Sequence, residues 1–243
     1  MNAVQNTETR NRGWPFFDAV YCISLAGRPD RREQAARQFK AVGLEDQVEF
    51  VIVEKHPENN EQGIYTSHML CFAKGLAAGA RHILIFEDDV VFKGFNLKKL
   101  AQCADFLDQN AHCRLFFLGC LVAGSRRTQR PGILRVDYRS LTHAYVIEHS
   151  LAAELVNEKW CRVPFDVMLA GLREDKFALC PSFAFQSNAR SDNERLRKLE
   201  MVRRLFGGLA FIQKMNERYH RHKAVIISGH LFVIAALLWL CLR

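Results

Sequence analysis

The sequence predicts an α/β domain of the Rossmann-like type, followed by one helix that crosses a membrane. Short apolar, β-branched runs alternate with segments of helical spacing, which is the pattern of such a domain. Charged residues cluster where predicted strands end, and nineteen residues near the C-terminus carry no formal charge. The length of 243 residues suits one domain with an appendage and is too short for two full domains.

The first two predicted strands are separated by a helix. Ala19–Leu25 is an apolar, β-branched run that a glycine and a proline follow, so we predict a buried strand. Asp30 is expected to cap a helix that extends to Val42, because aspartate is favoured at helix N-caps and a glycine comes next. Val48–Val53 is the second predicted strand.

The same alternation continues along the rest of the domain. In order, the sequence predicts helix 62–79, strand 83–86, helix 97–107 and strands 115–118, 133–136 and 141–147. A last helix is expected to extend to Trp160. Because strands alternate with helices, we expect a largely parallel sheet, in which ligands bind beyond the carboxyl ends of the strands.

The net charge of +8 is distributed unevenly along the chain. Residues 1–189 carry 23 Lys and Arg against 22 Asp and Glu, whereas residues 190–223 carry 10 against 4. The domain is therefore nearly neutral, and the basic residues are concentrated just before the apolar run. This distribution argues against nucleic-acid binding, which requires basic residues on the folded domain.

The apolar run covers residues 224–242 and is interrupted only by Ser228 and His230. At about 1.5 Å per residue, a helix of this length matches the ~30 Å hydrocarbon core of a bilayer, so we predict a transmembrane helix. A buried core helix is the alternative. By the positive-inside rule, the basic residues before the run place the domain on the cytoplasmic face of the inner membrane, anchored by its C-terminus.

The basic segment before the apolar run has apolar residues at steps of three and four between Leu199 and Tyr219. We expect an amphipathic helix on an anionic membrane surface, and packing against the domain is the alternative. The predicted organisation is an N-terminal tail at 1–18, the domain at 19–193, the membrane-surface segment at 194–223 and the transmembrane helix at 224–242.

Three consecutive acids, Glu87, Asp88 and Asp89, stand between two apolar runs. Adjacent carboxylates repel one another, and they destabilise apolar surroundings unless a cation neutralises them. Hard divalent ions such as Mn²⁺ or Mg²⁺ prefer carboxylate and phosphate oxygens. The acids therefore predict a divalent metal site, and a solvated acidic turn is the alternative.

Six blocks of the chain, spread over about residues 19–193, resemble glycosyltransferase family 25, the lipooligosaccharide and procollagen β-galactosyltransferase group. The blocks are Ile23-Ser24-Leu25 with Arg28-Pro29-Asp30-Arg31, Gly63 with Ser67-His68, Leu84-Ile85-Phe86-Glu87-Asp88-Asp89, Phe117-Leu118-Gly119, Thr142-His143-Ala144-Tyr145, and Phe165-Asp166 with Pro181 to Gln186 and Ser191-Asp192. Ser24, Gly27 and Ile64 depart from the family pattern, which has Asn, Arg and Cys there.

The resemblance implies a GT-A-like, nucleotide-sugar-binding fold, a donor such as a UDP-hexose, and Mn²⁺ or Mg²⁺ as cofactor. The implied reaction is the inverting transfer of a hexose, galactose or glucose, to a lipid-linked or envelope glycan of the lipopolysaccharide type. A non-catalytic, membrane-anchored protein that binds a nucleotide sugar or anionic lipid is the alternative. Metal-dependent phosphoester hydrolysis is a third hypothesis, which would need additional His or Asp ligands.

Site residues follow from the resemblance and from the acid cluster together. The predicted metal ligands are Glu87 and Asp89, with Asp88 as an alternative partner of Asp89. The predicted donor contacts are Leu25, Arg28, Arg31, Ser67, His68 and Asp88. Exposure on a helix is the alternative for Arg31, and packing in the core is the alternative for His68. Asp166 is the predicted catalytic base, and an N-cap after Pro164 is its alternative role.

Overall fold

The computed structural model describes residues 13–187 and 207–241. The strands are β1 (Ala19–Leu25), β2 (Val48–Val53), β3 (His82–Glu87), β4 (Val90–Phe92), β5 (Leu115–Phe117), β6 (Leu121–Arg127), β7 (Ile133–Ser140), β8 (Ala144–Glu148), β9 (Lys176–Leu179) and β10 (Ala184–Gln186). The helices are α1 (Pro29–Ala41), α2 (Asn60–Ala77), α3 (Leu97–Gln109), α4 (His149–Leu155), α5 (Phe165–Gly171) and α6 (Leu209–Cys241).

Eight strands form one mixed sheet in the order β2-β1-β3-β8-β5-β9-β7-β6, and β10 pairs with β4 in a small second sheet. β1 is parallel to β2 and β3, because helices α1 and α2 cross over between these strands. β8 lies antiparallel between β3 and β5, and β6 pairs antiparallel with β7 at the far edge. The predicted α/β class, with a Rossmann-type half, is confirmed.

Apolar side chains cover both faces of the sheet in two core clusters. Strand β3 shows the reason, because successive side chains point to opposite faces of a strand. Ile83 and Ile85 belong to one cluster, whereas Leu84 and Phe86 belong to the other. A strand buried on both faces reads as a continuous apolar run, which is why the sequence predicted it well.

Several predicted boundaries differ from the structure, and strands β4, β6, β9 and β10 were not predicted. The last predicted strand begins at Ala144 and not at residue 141, because Leu141 has a φ of 80° and is therefore outside the extended region. The helix expected to reach Trp160 ends at Leu155. Trp14, which the prediction assigned to the N-terminal tail, is a core residue that is only 3% exposed.

Helix α6 is continuous through the boundary predicted between residues 223 and 224. It is the one helix of the described residues that is long and apolar enough to span a membrane, with a mean hydropathy of 2.0 over its most apolar window, and none of that window is buried against the protein. Val225 and Phe232, for example, are 73% and 76% exposed. The alternative of a buried core helix is therefore wrong.

Candidate active site

The predicted site residues meet at one edge of the large sheet. Ile23 near the end of β1 is the register partner of Glu87 at the end of β3. The N–H of Asp88 donates to the Ile23 carbonyl over 3.1 Å, and the N–H of Glu87 donates to the carbonyl of His143 over 3.2 Å. The ends of β1 and β3 and the segment just before β8 therefore lie beside the three acids. This is the edge at which α/β sheets bind ligands.

Arg31 links two of the three acids. Its Nη2 lies 2.8 Å from Asp88 Oδ1 and 2.8 Å from Asp89 Oδ2, and these side chains are only 12%, 7% and 9% exposed. Arg31 was predicted to contact the donor or to be exposed on the first turn of α1. The exposed alternative is wrong, because Arg31 lies against the acids as an internal positive charge that balances part of their repulsion.

Asp89 is held by Arg31 and by strand β10. Gln186 Nε2 donates to Asp89 Oδ2 over 2.8 Å, and the N–H of Ser187 donates to the Asp89 carbonyl over 2.7 Å. The other oxygen, Asp89 Oδ1, is buried and has no hydrogen-bond partner among the described residues. Burial raises the pKa of Asp89 to about 7, and Arg31 opposes this only in part. Burial also raises the pKa of Asp88.

Glu87 has a different set of partners from the other two acids. Thr142 Oγ1 donates to Glu87 Oε1, and His68 Nε2 lies 3.8 Å from the same oxygen. His68 Nδ1 lies 2.8 Å from the Tyr145 hydroxyl, and its ring stacks on Phe165 at 3.9 Å. Burial alone would raise the pKa of Glu87, but His68 and Thr142 outweigh it and lower the pKa to about 2. Glu87 is therefore a fixed, ionised carboxylate.

Ser67 and His68 lie on the buried face of α2. The Ser67 hydroxyl donates to the Gly63 carbonyl one turn earlier over 2.7 Å, and the side chain is 6% exposed. His68 is 1% exposed. The structure therefore gives His68 the core position that was its alternative, and it relates to the site through Glu87 rather than through an open surface. No hydrogen bond from the Ser67 side chain to the three acids occurs among the described residues.

Arg28 and Leu25 lie at the turn between β1 and α1. Arg28 Nε and Nη2 each donate to a carboxylate oxygen of Asp30 over 3.0 Å. Asp30 was predicted to cap α1, but the N-cap position belongs to Arg28, and Asp30 lies in the first turn as the partner of that arginine. The Leu25 carbonyl accepts from Arg32 Nη1 over 3.3 Å, which fixes the start of α1 beside the end of β1.

Asp166 lies in the first turn of α5. The N-cap of this helix is Pro164, so the predicted capping role of Asp166 is wrong. Asp166 Oδ1 accepts from the N–H of Val167 over 2.8 Å. Burial raises the pKa of Asp166, and the negative charges of Glu61 and Glu87 raise it further. Its neighbour Phe165 stacks on His68, so Asp166 is adjacent to the residues that hold Glu87.

Asp88 and Asp89 are better placed than Glu87 to share a divalent cation. The described residues hold no group of three or more His, Cys, Asp or Glu side chains gathered as metal ligands. Asp88 and Asp89 nevertheless converge on one positive group, Arg31, and Asp89 Oδ1 is buried without a partner among the described residues. Carboxylate oxygens such as Asp89 Oδ1 suit Mn²⁺ or Mg²⁺, which complete their shells with water or phosphate oxygens.

Helix α6 reaches the back of the site, which the sequence did not predict. Gln213 is fully buried, and its Nε2 donates to the carbonyl of Ala184 in β10 over 2.9 Å. The same strand carries Gln186, the partner of Asp89. Gly119 permits this approach, because a Cβ there would lie 2.0 Å from the Ala184 carbonyl oxygen. Helix α6 is therefore connected to Asp89 through strand β10.

No family model matches the sequence, and no curated protein matches it. Solved structures of low identity are similar. One is a glycosyltransferase involved in the glycosylation of the major capsid of PBCV-1, with 11% identity over 75% of this chain and 100% of that chain and a TM-score of 0.45. Another is UDP-glucose pyrophosphorylase complexed with UDP-glucose, with 11% identity over 68% of this chain and 73% of that chain and a TM-score of 0.40. A third is mannose-1-phosphate geranyltransferase from Thermus thermophilus, with 10% identity over 68% of this chain and 74% of that chain and a TM-score of 0.40. The resemblance to family 25 thus rests on the sequence blocks.

Proposed function

We propose that this protein is a glycosyltransferase that takes a hexose, galactose or glucose, from a nucleotide-sugar donor and is anchored in a membrane by α6. The observation that carries the proposal is the buried pair Asp88 and Asp89, bridged by Arg31 at the carboxyl edge of a Rossmann-type half-sheet. Buried acids with an unpaired oxygen and raised pKa values are typical of ligand sites. The sequence blocks of family 25 supply the donor class.

Arg31 is the residue best placed to meet the donor's phosphates. A guanidinium presents several N–H donors in a planar fork that matches phosphate oxygens as well as carboxylates. Mn²⁺ or Mg²⁺, held by Asp88 and Asp89, would neutralise negative charge on the departing nucleoside diphosphate. Arg31, which contacts both acids, would donate to phosphate oxygens beside them.

Asp166 is a better candidate than Glu87 for the catalytic base. A base is most effective when its pKa lies near the working pH, and burial raises the pKa of Asp166 whereas the pKa of Glu87 is about 2. In the proposed step the acceptor oxygen bonds to the anomeric carbon, the bond from that carbon to the phosphate oxygen breaks, and its electron pair leaves with the diphosphate. The acceptor proton passes to Asp166, and the sugar is inverted.

The anchor favours a lipid-linked or envelope glycan acceptor of the lipopolysaccharide type. Asn216 of α6 contacts the domain through both backbone groups of Val122, and the charge-free run begins at Ala224. Eight helical residues span about 12 Å, so the domain would lie next to the membrane surface. Nucleotide sugars are cytosolic in this scheme, in agreement with the cytoplasmic side predicted from the basic residues before the span.

The test is a donor screen with the full chain in detergent. UDP-, GDP- and CMP-sugars are supplied with and without Mn²⁺, and release of the nucleotide product is followed. We expect release from one donor class, a loss of about 100-fold or more in Asp89→Asn because preorganised charge is removed, and no change in the control Asp108→Asn on the exposed face of α3.

Two results would contradict the proposal. Release that is unaffected by Asp89→Asn would mean that the acid pair is not the active site. Tight donor binding without release from any donor would support the non-catalytic binding protein instead.

A further inference from the structure

Helix α6 covers the open edge of strand β6. β6 is the last strand of the large sheet, so one side of its backbone has no neighbouring strand. The side chain of Asn216 pairs with this open edge as a neighbouring strand would. Its Oδ1 accepts from the Val122 N–H and its Nδ2 donates to the Val122 carbonyl, each over 3.0 Å. Further along, His220 Nδ1 lies 3.2 Å from Ser125 Oγ, and Lys223 donates to the Ser125 carbonyl.

These contacts show that β6 and α6 run side by side in the same direction. Three strand residues from Val122 to Ser125 advance about 10 Å, at about 3.3 Å each. The matching contacts advance from Asn216 to His220 and Lys223, which is about 6 to 10 Å along a helix. Because the two distances agree, the end of β6 near Ser125 lies beside Lys223 of α6.

The β6–β7 hairpin therefore continues beside the apolar run. Lys223 is the last charged residue before residues 224–242. Past Ser125, Arg127 lies about 7 Å farther along β6, which brings it level with the first residues of that run. The turn that follows carries Arg130.

The hairpin tip is strongly basic. Residues 121–136 contain four arginines and no acid. Arg135 pairs with Asp175, whereas no ion pair to Arg126 or Arg127 occurs within the described ranges 13–187 and 207–241. Arg126, Arg127 and Arg130 are all exposed, and Arg130 donates to the neutral side chain of Gln109. Three exposed positive charges thus stand where α6 would enter a bilayer.

We propose that Arg126, Arg127 and Arg130 bind the anionic lipid headgroups of the leaflet that α6 enters. This inference rests on the membrane anchor of the proposed function. A single spanning helix leaves a domain free to turn about the helix axis, whereas a second attachment beside it limits that rotation. Since β6 belongs to the same sheet as β3, the hairpin would hold the acid site at one orientation to the membrane.

The test measures hydrogen exchange of the full chain in nanodiscs of phosphatidylcholine, alone or mixed with phosphatidylglycerol. We expect the amides of residues 126–130 to exchange severalfold more slowly in the anionic discs at low salt, and the difference to disappear at high salt. The triple substitution Arg126→Gln, Arg127→Gln and Arg130→Gln should abolish the difference, whereas lysine at the same three positions should retain most of it.

The control is Arg37→Gln on the exposed surface of α1, which packs near the opposite end of the sheet and should behave as wild type. Equal exchange of the hairpin in both discs, with residues 224–240 protected, would overturn the hairpin inference and leave the anchor intact. Failure of the chain to enter the discs would overturn the hairpin inference and the anchor, while the donor screen would still report on the acid site. Equal protection of the hairpin in discs of phosphatidylcholine alone would also contradict the electrostatic basis.

Discussion

The acid site and the junction of α6 with β6 both bury polar groups, but only the junction pairs them fully in the described contacts. At the acid site, Asp89 Oδ1 is buried without a hydrogen-bond partner among the described residues, and the pKa of Asp89 is raised to about 7. At the junction, Asn216 satisfies both backbone groups of Val122. Leaving a buried polar group unpaired costs about 1–3 kcal/mol. The acid site therefore leaves a buried polar atom unsatisfied by its described neighbours, whereas Asn216 satisfies both backbone groups of Val122 at the junction.

The comparison predicts opposite effects of substitution in the two regions. Changes at the site should impair turnover and leave the protein as stable as before or more stable. Changes at the junction should lower the free energy of unfolding and leave the chemistry of the folded protein nearly intact.

The largest expected effect is on catalysis by Asp166. Asp166→Asn removes the proposed base, and general base catalysis typically contributes about 10²- to 10⁴-fold, so sugar transfer should fall by that factor. Donor binding should not change. Steady-state transfer to a glycolipid acceptor and donor affinity are the measurements. The opposite result would be a loss of about 10²- to 10⁴-fold in Glu87→Gln and no loss in Asp166→Asn, and it would identify Glu87 as the base.

The junction should show the largest loss of stability. Asn216→Leu leaves the N–H and the carbonyl of Val122 unpaired, so the free energy of unfolding should fall by about 2–4 kcal/mol. Denaturant unfolding of the full chain in detergent measures it. Met215→Leu, at a neighbouring position that is 46% exposed, is the control and should change stability by less than about 0.5 kcal/mol. Equal stability of both variants would mean that α6 does not brace β6.

The stability of the protein should depend on pH through Asp89 of the acid site. Burial raises the pKa of Asp89 from 3.8 to about 7, so the folded state binds its proton more tightly than the unfolded state does. Wild-type stability should therefore decrease as the pH rises from about 4 to 7, and the penalty should be complete above 7.

Asp89→Asn should remove this penalty. Near pH 8 the variant should be more stable than wild type by about 1–3 kcal/mol, and the gain should shrink toward pH 4. Thermal unfolding at a series of pH values is the measurement. A gain that is constant with pH would mean that Asp89 does not titrate in this range.

The smallest expected effect concerns the link between the two regions. Gln213→Leu removes the donation to the Ala184 carbonyl and loosens β10, whose Gln186 holds Asp89. Because the effect acts through another residue, we expect a severalfold decrease in kcat with little change in donor KM, and Gln186→Leu should have the larger effect. If Gln213→Leu lowers stability but leaves kcat unchanged, α6 supports the fold and not the site.

Much of the fold was predictable because its signals are local. β1 and β2 have the predicted bounds, because each is a short run rich in β-branched and aromatic residues, and this signal identifies β2 even though it is a partly exposed edge strand. The acids between apolar runs marked the site, and the charge-free run marked a helix that can span a membrane. Each of these features is contained in about twenty neighbouring residues or fewer.

The partners of the acids were not predictable in the same way. Glu87 and Asp89 were the expected metal pair, but Thr142 and His68 hold Glu87, whereas Arg31 joins Asp88 to Asp89. Adjacent residues at the end of a strand point in different directions, so each meets a different element. Which elements those are depends on strand order.

The sequence by itself determined the α/β class, the location of the acid cluster and the length of the apolar run. Only the tertiary structure decided which face of α6 packs on the domain. The apolar stripe between Leu199 and Tyr219 predicted contact with a membrane surface, with packing against the domain as the alternative. The part of this segment before residue 207 lies outside the described residues, and in the described part Gln213, Asn216 and the following His220 contact the domain. The physical reason is that an edge strand offers unpaired backbone groups, and polar side chains from a distant part of the chain satisfy them.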